Sequence, residues 1–167
     1  MSENNQDTNN QDRHHQDIYV KDLGWKFMRV IDGDTIEFEI PKNPYLTDSL
    51  RKISLRLLGL DTPEKNFLAK CAQEKELGLK ATNFTKDVMK LAETIELSDL
   101  QWDKYGGRVD GAITVSIRNK NKELIRINLV ELLMKNKCAV PYDGGKKSSW
   151  CGSNINKASC NIDNLIF

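Results

Sequence analysis

Two histidines, His14 and His15, stand side by side in a polar leader and are the only two in the chain. Such a pair is ordinarily solvated, so histidine general bases, Ser-His-Asp triads and H-E-x-x-H zinc sites all lack their residues. Chemistry falls instead to carboxylates, arginines or cysteines, and three local patterns hold it. Asp32-Gly33-Asp34-Thr35 is most simply a bend or bulge in a strand. Asp34, however, shares the alternation of Ile36, Phe38 and Ile40, which aims its carboxylate at the apolar side, where an unpaired charge is costly. Asp61-Thr62-Pro63-Glu64 reads either as a helix N-terminus, with Glu64 reaching back as in a capping box, or as a functional loop. Arg56, inside the apolar run ISLRLLGL, is either half of an internal salt bridge or an anion-binding group facing a pocket.

Taken together, the three patterns constrain one another. Asp34 and Asp61 at adjacent strand ends form a hard-oxygen set suited to Ca²⁺ or a similar cation and unsuited to zinc. An arginine and a third carboxylate beside such a cation match the needs of phosphodiester hydrolysis. The cations hold the charge that grows on the phosphoryl oxygens, and the carboxylate orients or deprotonates water.

Elements must position these groups. Residues 27–40 alternate with a period of two and predict one strand with a wet side at Thr35, Glu37 and Glu39. ISLRLLGL (53–60) predicts a second, nearly buried strand. Between Glu64 and Glu93, Leu77, Ala81, Phe84, Val88 and Leu91 form the stripe of an amphipathic helix. TIELSDL (94–100) and VDGAITVSI (109–117) predict a hairpin across QWDKYGGR. Asn128, with Glu131 three residues on, caps a short helix whose expected buried side is Val130, Leu133 and Met134. Beyond Pro141 the chain is turn-rich and predicts a tail hugging the surface. Short strands interrupted by a helix give an α+β, mainly β class, a five-stranded OB-fold barrel with two to three packed helices.

With 167 residues, 39% hydrophobic and 29% charged, the chain suits one domain with tails, and no apolar run approaches the roughly 20 residues of a membrane helix. The expected division is a disordered polar leader over 1–17, a domain over 18–145 and a tail over 146–167. The leader lacks the basic and apolar regions of a signal peptide, which favours an intracellular protein, with a mature secreted form as the alternative. It also hides charge. Its four acids and one arginine leave 24 basic against 20 acidic residues in the remainder, a mildly basic body compatible with a polyanion. Cys71, Cys138, Cys151 and Cys160 form no C-x-x-C pair and are expected as thiols, with Cys138 bridged to Cys151 or Cys160 only in a secreted form.

VIDGDT (30–35), LRLLGLDTPE (55–64), C-x-x-E-K-E-L-G (71–78), DKYGGRVDG (103–111) and AVPYDGG (139–145) resemble, in order and approximate spacing, the staphylococcal-nuclease-like, or thermonuclease, family over residues 25–145. The resemblance implies an OB-fold, calcium-dependent endonuclease that cuts DNA and RNA to leave 3′-phosphates, with single strands favoured. By the same resemblance Asp34, Asp61 and the main-chain carbonyl of Thr62 hold Ca²⁺. Arg56 bridges phosphate and cation, Glu64 positions or activates water, and Arg108 stabilises the transition state. Lys104 and Tyr105 hold a terminal phosphate. The sequence departs from the namesake in K-Y-G-G-R, where a second glycine absorbs the extra residue by adopting φ > 0, and in Val140 and Tyr142, which leave one aromatic platform for a base. The alternatives are a catalytically silent OB module that grips single-stranded nucleic acid, and a carbohydrate- or protein-binding OB domain. A monomer is the default.

Overall fold

Residues 18–104, 106–152 and 160–167 are described by the structure, a computed structural model. The polar leader and Tyr105 therefore lie outside the described residues. In chain order the elements are β1 (Ile18–Tyr19), β2 (Lys26–Asp32), β3 (Thr35–Glu39), β4 (Lys52–Leu57), β5 (Leu60–Asp61), α1 (Ala72–Leu91), β6 (Thr94–Trp102), β7 (Val109–Arg118), β8 (Leu124–Asn128), α2 (Leu129–Lys135) and β9 (Val140–Pro141). The class is α+β and mainly β. Seven strands form one sheet in the order β1-β6-β7-β4-β3-β2, with β8 also on β7, while β5 and β9 make a separate pair. Only β4 and β7 run parallel. No ladder joins the ends of this sheet among the described residues, so a closed five-stranded barrel is not what the pairing gives.

The single strand expected over 27–40 is two. β2 folds onto β3 with Asp32 opposite Thr35, because Asp-Gly between alternating segments is a strong hairpin signal that outweighs continuation of the strand. The face expected to be wet is not wet throughout. Thr35 and Glu37 are buried, and the Glu37 carboxylate accepts from Arg29 Nε and Nη2 at 3.1 and 3.3 Å. The expected second strand is broken at Leu58-Gly59, where Gly59 adopts φ +88°, a conformation costly for other residues.

Ile36, Phe38, Leu55, Leu97, Ile113 and Val115 of the sheet meet Ala81, Phe84 and Val88 of α1 and Leu129, Leu132 and Leu133 of α2 in one core. The α1 stripe is as expected except at Leu91, which is exposed at the last turn. Asn128 caps α2 by accepting from Val130 N at 2.8 Å. The buried side of α2 is Leu129, Leu132 and Leu133, not Val130, Leu133 and Met134. The helix starts directly from β8, an unexpected strand, and its first residue is already in the core.

The cysteines also depart from expectation. Cys71 is bonded to Cys151 and Cys138 to Cys160. Separations of 80 and 22 residues give no local signal, and both bridges exist because the tail returns to the body. No helix among the described residues is long and apolar enough to cross a membrane.

Candidate active site

A row of register partners crosses four strands: Thr35 opposite Arg56, Arg56 beside Asp110, Asp110 opposite Gln101. This row places Asp34, at the end of the β2–β3 turn, beside the Arg56 guanidinium, whose Nε is 3.7 Å from Asp34 Oδ2. The turn is locked by Leu57 N donating to Asp34 O at 2.9 Å and by Thr85 Oγ1 donating to Gly33 O at 2.8 Å. Gly33 is required by space. A Cβ there would meet Thr62 and Ala81 at 3.0 to 3.1 Å, tighter than side chains tolerate without yielding, so the turn lies directly on the Asp61-Thr62 loop.

That loop is not the cap of α1, whose N-cap is Cys71. It is instead held down by the helix. Buried Glu74 accepts from Glu64 N at 3.4 Å and from Lys70 N at 2.7 Å. Gly78 leaves room for the loop backbone, since a Cβ would fall 2.5 Å from Glu64 C and O. The spacing Cys71, Glu74, Gly78 thus has three separate purposes: bridge, brace and clearance. Asp61 is fixed from the other side by pairing with Val140 in the β5–β9 ladder.

A cleft of about 700 Å³ opens beside this row, lined among others by Arg56, Trp102, Lys104, Arg108, Asp110 and Tyr142. Arg56 and Arg108 have side chains 26% and 33% exposed, so both guanidiniums are reachable. Arg56 is backed by one carboxylate, Asp34, and Arg108 by two, all held just short of hydrogen bonding. Arg108 lies 3.7 Å from Asp103 Oδ2 and 3.6 Å from Asp110 Oδ1, and its buried Nε has no hydrogen-bond partner. The K-Y-G-G-R loop is closed by Asp103 N donating to Arg108 O at 2.9 Å, and Gly107 N donates to Asp103 Oδ1 at 3.0 Å. Gly106, the first of the two glycines, takes φ +71°, and Arg108 faces the cleft despite the extra residue.

A family model described as staphylococcal nuclease homologue matches residues 54–143. The chain belongs to this family. No curated protein matches it. Arg56, Asp61, Thr62, Glu64, Lys104, Tyr105, Arg108 and Tyr142 all lie inside the span matched to the staphylococcal nuclease homologues. Asp34 lies outside it and joins them through the sheet register and the Gly33–Thr62 contact.

The electrostatics divide the site. Asp34 is pushed up to about 7 from an ordinary 3.8, first by burial and then by its hydrogen bond with Asp32 and the charge of Asp32, with Arg56 and Thr35 only partly opposing. Buried Asp32 Oδ1 has no partner. A buried and a half-buried carboxylate side by side, with an unused oxygen, are short of positive charge, which fits a hard cation. Among the described residues no three His, Cys, Asp or Glu side chains converge as a metal cluster. A cation here would need main-chain carbonyl and water oxygens beside the carboxylates. Glu64 is raised chiefly by burial, against the lowering effect of Lys147.

Sequence reasoning overlooked several neighbours of the site. Asp32 was hidden in a motif read for Asp34. Asp110 braces Arg108 from within the cleft lining, and Glu74 braces the Glu64 loop from behind it. Trp102, 70% exposed in the cleft lining, presents an aromatic face beyond that of Tyr142, and its only signal was its place next to D-K-Y-G-G-R. Lys147 and Trp150 come from the tail, where no motif marked them.

Proposed function

We propose that the chain is a calcium-dependent endonuclease that hydrolyses phosphodiester bonds of DNA and RNA and leaves 3′-phosphate ends. The observation that carries this reading is the pair of reachable arginines in one cleft, Arg56 at 3.7 Å from Asp34 and Arg108 at 3.6 to 3.7 Å from Asp110 and Asp103. Guanidiniums braced in this way keep N–H donors for an incoming phosphate, and their planar forks suit phosphoryl oxygens. Arg56 and Arg108 hold the charge that grows on the phosphoryl and leaving oxygens. Asp34, Asp61 and the Thr62 carbonyl would hold Ca²⁺, which when bound supplies further positive charge to the phosphoryl group. Glu64, raised by burial, accepts the proton of the attacking water or orients that water. Lys104 and Tyr105 hold a terminal phosphate. Tyr142 and Trp102 offer bases two aromatic faces, which favours single strands, whose bases are free to stack.

In this reading the sheet is the family's OB-type scaffold with additional strands, carrying one nuclease domain over 18–145 that works as a monomer. The two disulfides favour an oxidising compartment over the intracellular expectation. A second reading, a silent module that binds single strands without cutting, is favoured by one contact: Lys147 Nζ lies 2.6 Å from Asp61 Oδ1, where a cation ligand should be open.

The deciding experiment incubates purified protein with single-stranded DNA, duplex DNA and RNA in Ca²⁺, in Mg²⁺ and in chelator, beside Glu64→Ala. Calcium-dependent cutting to 3′-phosphate ends, lost in Glu64→Ala, is expected. Binding to single strands without cutting under every condition would overturn the enzyme reading in favour of the silent module.

A further inference from the structure

The family reading does not require the tail, yet the tail reaches the heart of the site. Lys147 Nζ is 2.6 Å from Asp61 Oδ1, and Trp150 Nε1 donates to Asp61 Oδ2 at 3.1 Å. Both oxygens of a carboxylate whose side chain is 4% exposed are thus engaged by one short stretch of chain. The two contacts differ in kind. Trp150 is buried and forms part of the wall, whereas the Lys147 side chain is 40% exposed and reaches in from solvent on a flexible stem.

The stretch is pinned on several sides. Cys151 is bonded to Cys71, the N-cap of α1. Gln73, in the first turn of that helix, donates to Gly152 O at 2.9 Å and accepts from Gly152 N at 3.3 Å. The Lys147 ammonium also lies over the Tyr142 ring, 5.6 Å from its centroid. Residues 147–152 therefore form a strap across Asp61, fastened to the helix by a covalent bond.

We propose that Lys147 is a built-in competitor for the cation at Asp61, held in place by the strap, so that the Cys71–Cys151 disulfide sets how tightly the site takes Ca²⁺. The inference rests on Asp61 being a cation ligand. An ammonium 2.6 Å from Asp61 Oδ1 takes up a lone pair and sets a repelling positive charge where a divalent ion would bind, so calcium and Lys147 oppose each other at Asp61. Tethering keeps the competitor at high effective concentration. With the bridge opened, the ammonium is released to solvent and the competition fades. The same contact that favours a silent module becomes, on this account, a tuning device of an active one.

The test measures Ca²⁺ binding directly, by calorimetry on the oxidised full chain without nucleic acid, so that it reads affinity rather than turnover. Lys147→Met should tighten calcium roughly tenfold, the scale of one charge-assisted contact, and Lys147→Arg should restore wild-type affinity. In a Cys71→Ser/Cys151→Ser background, where serine preserves the helix cap, Lys147→Met should change affinity little. Should the double serine variant fold poorly, mild reduction of a Cys138→Ser/Cys160→Ser protein, with and without Lys147→Met, opens the Cys71–Cys151 bridge alone and gives the same readout. Asp61→Asn separates the two readings. If it binds calcium like the wild type, the assignment of Asp61 as a ligand fails. If it loses calcium while Lys147→Met binds like the wild type, the competition fails alone. An equal effect of Lys147→Met with and without the disulfide would overturn the role of the bridge.

Discussion

The arginine side and the carboxylate side of this site are built differently. Arg56 projects from a continuous ladder of β3, β4, β7 and β6, Arg108 stands in the loop just before β7, and their carboxylate braces stop at 3.6 to 3.7 Å, leaving them ready for an anion. Asp61 and Glu64 sit on a two-stranded fragment and a loop, clamped by Glu74 and Gly78 of α1, and Asp61 is already covered by Lys147 and Trp150. One half waits open and the other is guarded. The arginine half thus rests on the sheet register and the loop beside it, while the carboxylate half is assembled from separate segments held together by side-chain contacts and a disulfide.

Removing a cleft arginine tests the open half and has the largest expected effect. Arg56→Ala or Arg108→Ala should each lower turnover by about 10²-fold or more, as does loss of one transition-state donor, measured by single-turnover cleavage. Near wild-type rates in both would end the argument that the cleft stabilises developing charge.

Gly78→Ala strikes the clamp of the guarded half. A methyl 2.5 Å from the Glu64 backbone must push the loop off the helix, so the variant should lose about 1–3 kcal/mol of stability, as overpacking does, and lose cleavage with it. Thermal unfolding and turnover check both. A fully stable, fully active variant would show that the loop does not need this seat.

Asp34 gives a pH-dependent comparison. Its folded value near 7 lies above the ordinary 3.8, so without calcium the folded state keeps a proton that the unfolded state has shed. Stability should therefore fall as pH rises from about 4 to about 7, the interval set by those two values. Asp34→Asn should flatten that slope and raise the calcium needed for cleavage. Denaturant titrations across this range in chelator are the measurement, and an unchanged slope would contradict the burial argument.

The smallest effect belongs to the aromatic faces. Trp102→Ala or Tyr142→Ala should each weaken binding of a single-stranded oligonucleotide by about 1–3 kcal/mol per stacked base, with little change for an abasic strand. Equal losses on both strands would mean that the rings do not stack bases.

Much of the open half was legible in the sequence, because it is local. Alternation exposed β3 and β7, the apolar run exposed β4, and an arginine inside that run had to be paired or facing a pocket. Asp34 was legible through its parity, though the turn that carries it is a hairpin and not a bend. The guarded half was legible only as residue types. Asp61-Thr62-Pro63-Glu64 has the composition of a helix cap, and only the start of α1 at Ala72 excludes that use. Lys147 and Trp150 were illegible for a different reason: their partner lies nearly ninety residues away in sequence, brought close by a bridge between Cys71 and Cys151 that no spacing rule reveals. Strand β8 was missed because Leu124–Asn128 is short and runs straight into α2.

Both halves of the site must serve one reaction, and a calcium titration of cleavage tests that most directly. Initial rates on a single-stranded DNA would be followed against Ca²⁺ for the wild type, Arg108→Ala and Asp61→Asn. The expected result is a lower plateau with an unchanged midpoint for Arg108→Ala, and a midpoint raised beyond the wild-type range for Asp61→Asn. Cleavage that persists in chelator, or an Asp61→Asn curve that overlays the wild type, would contradict it.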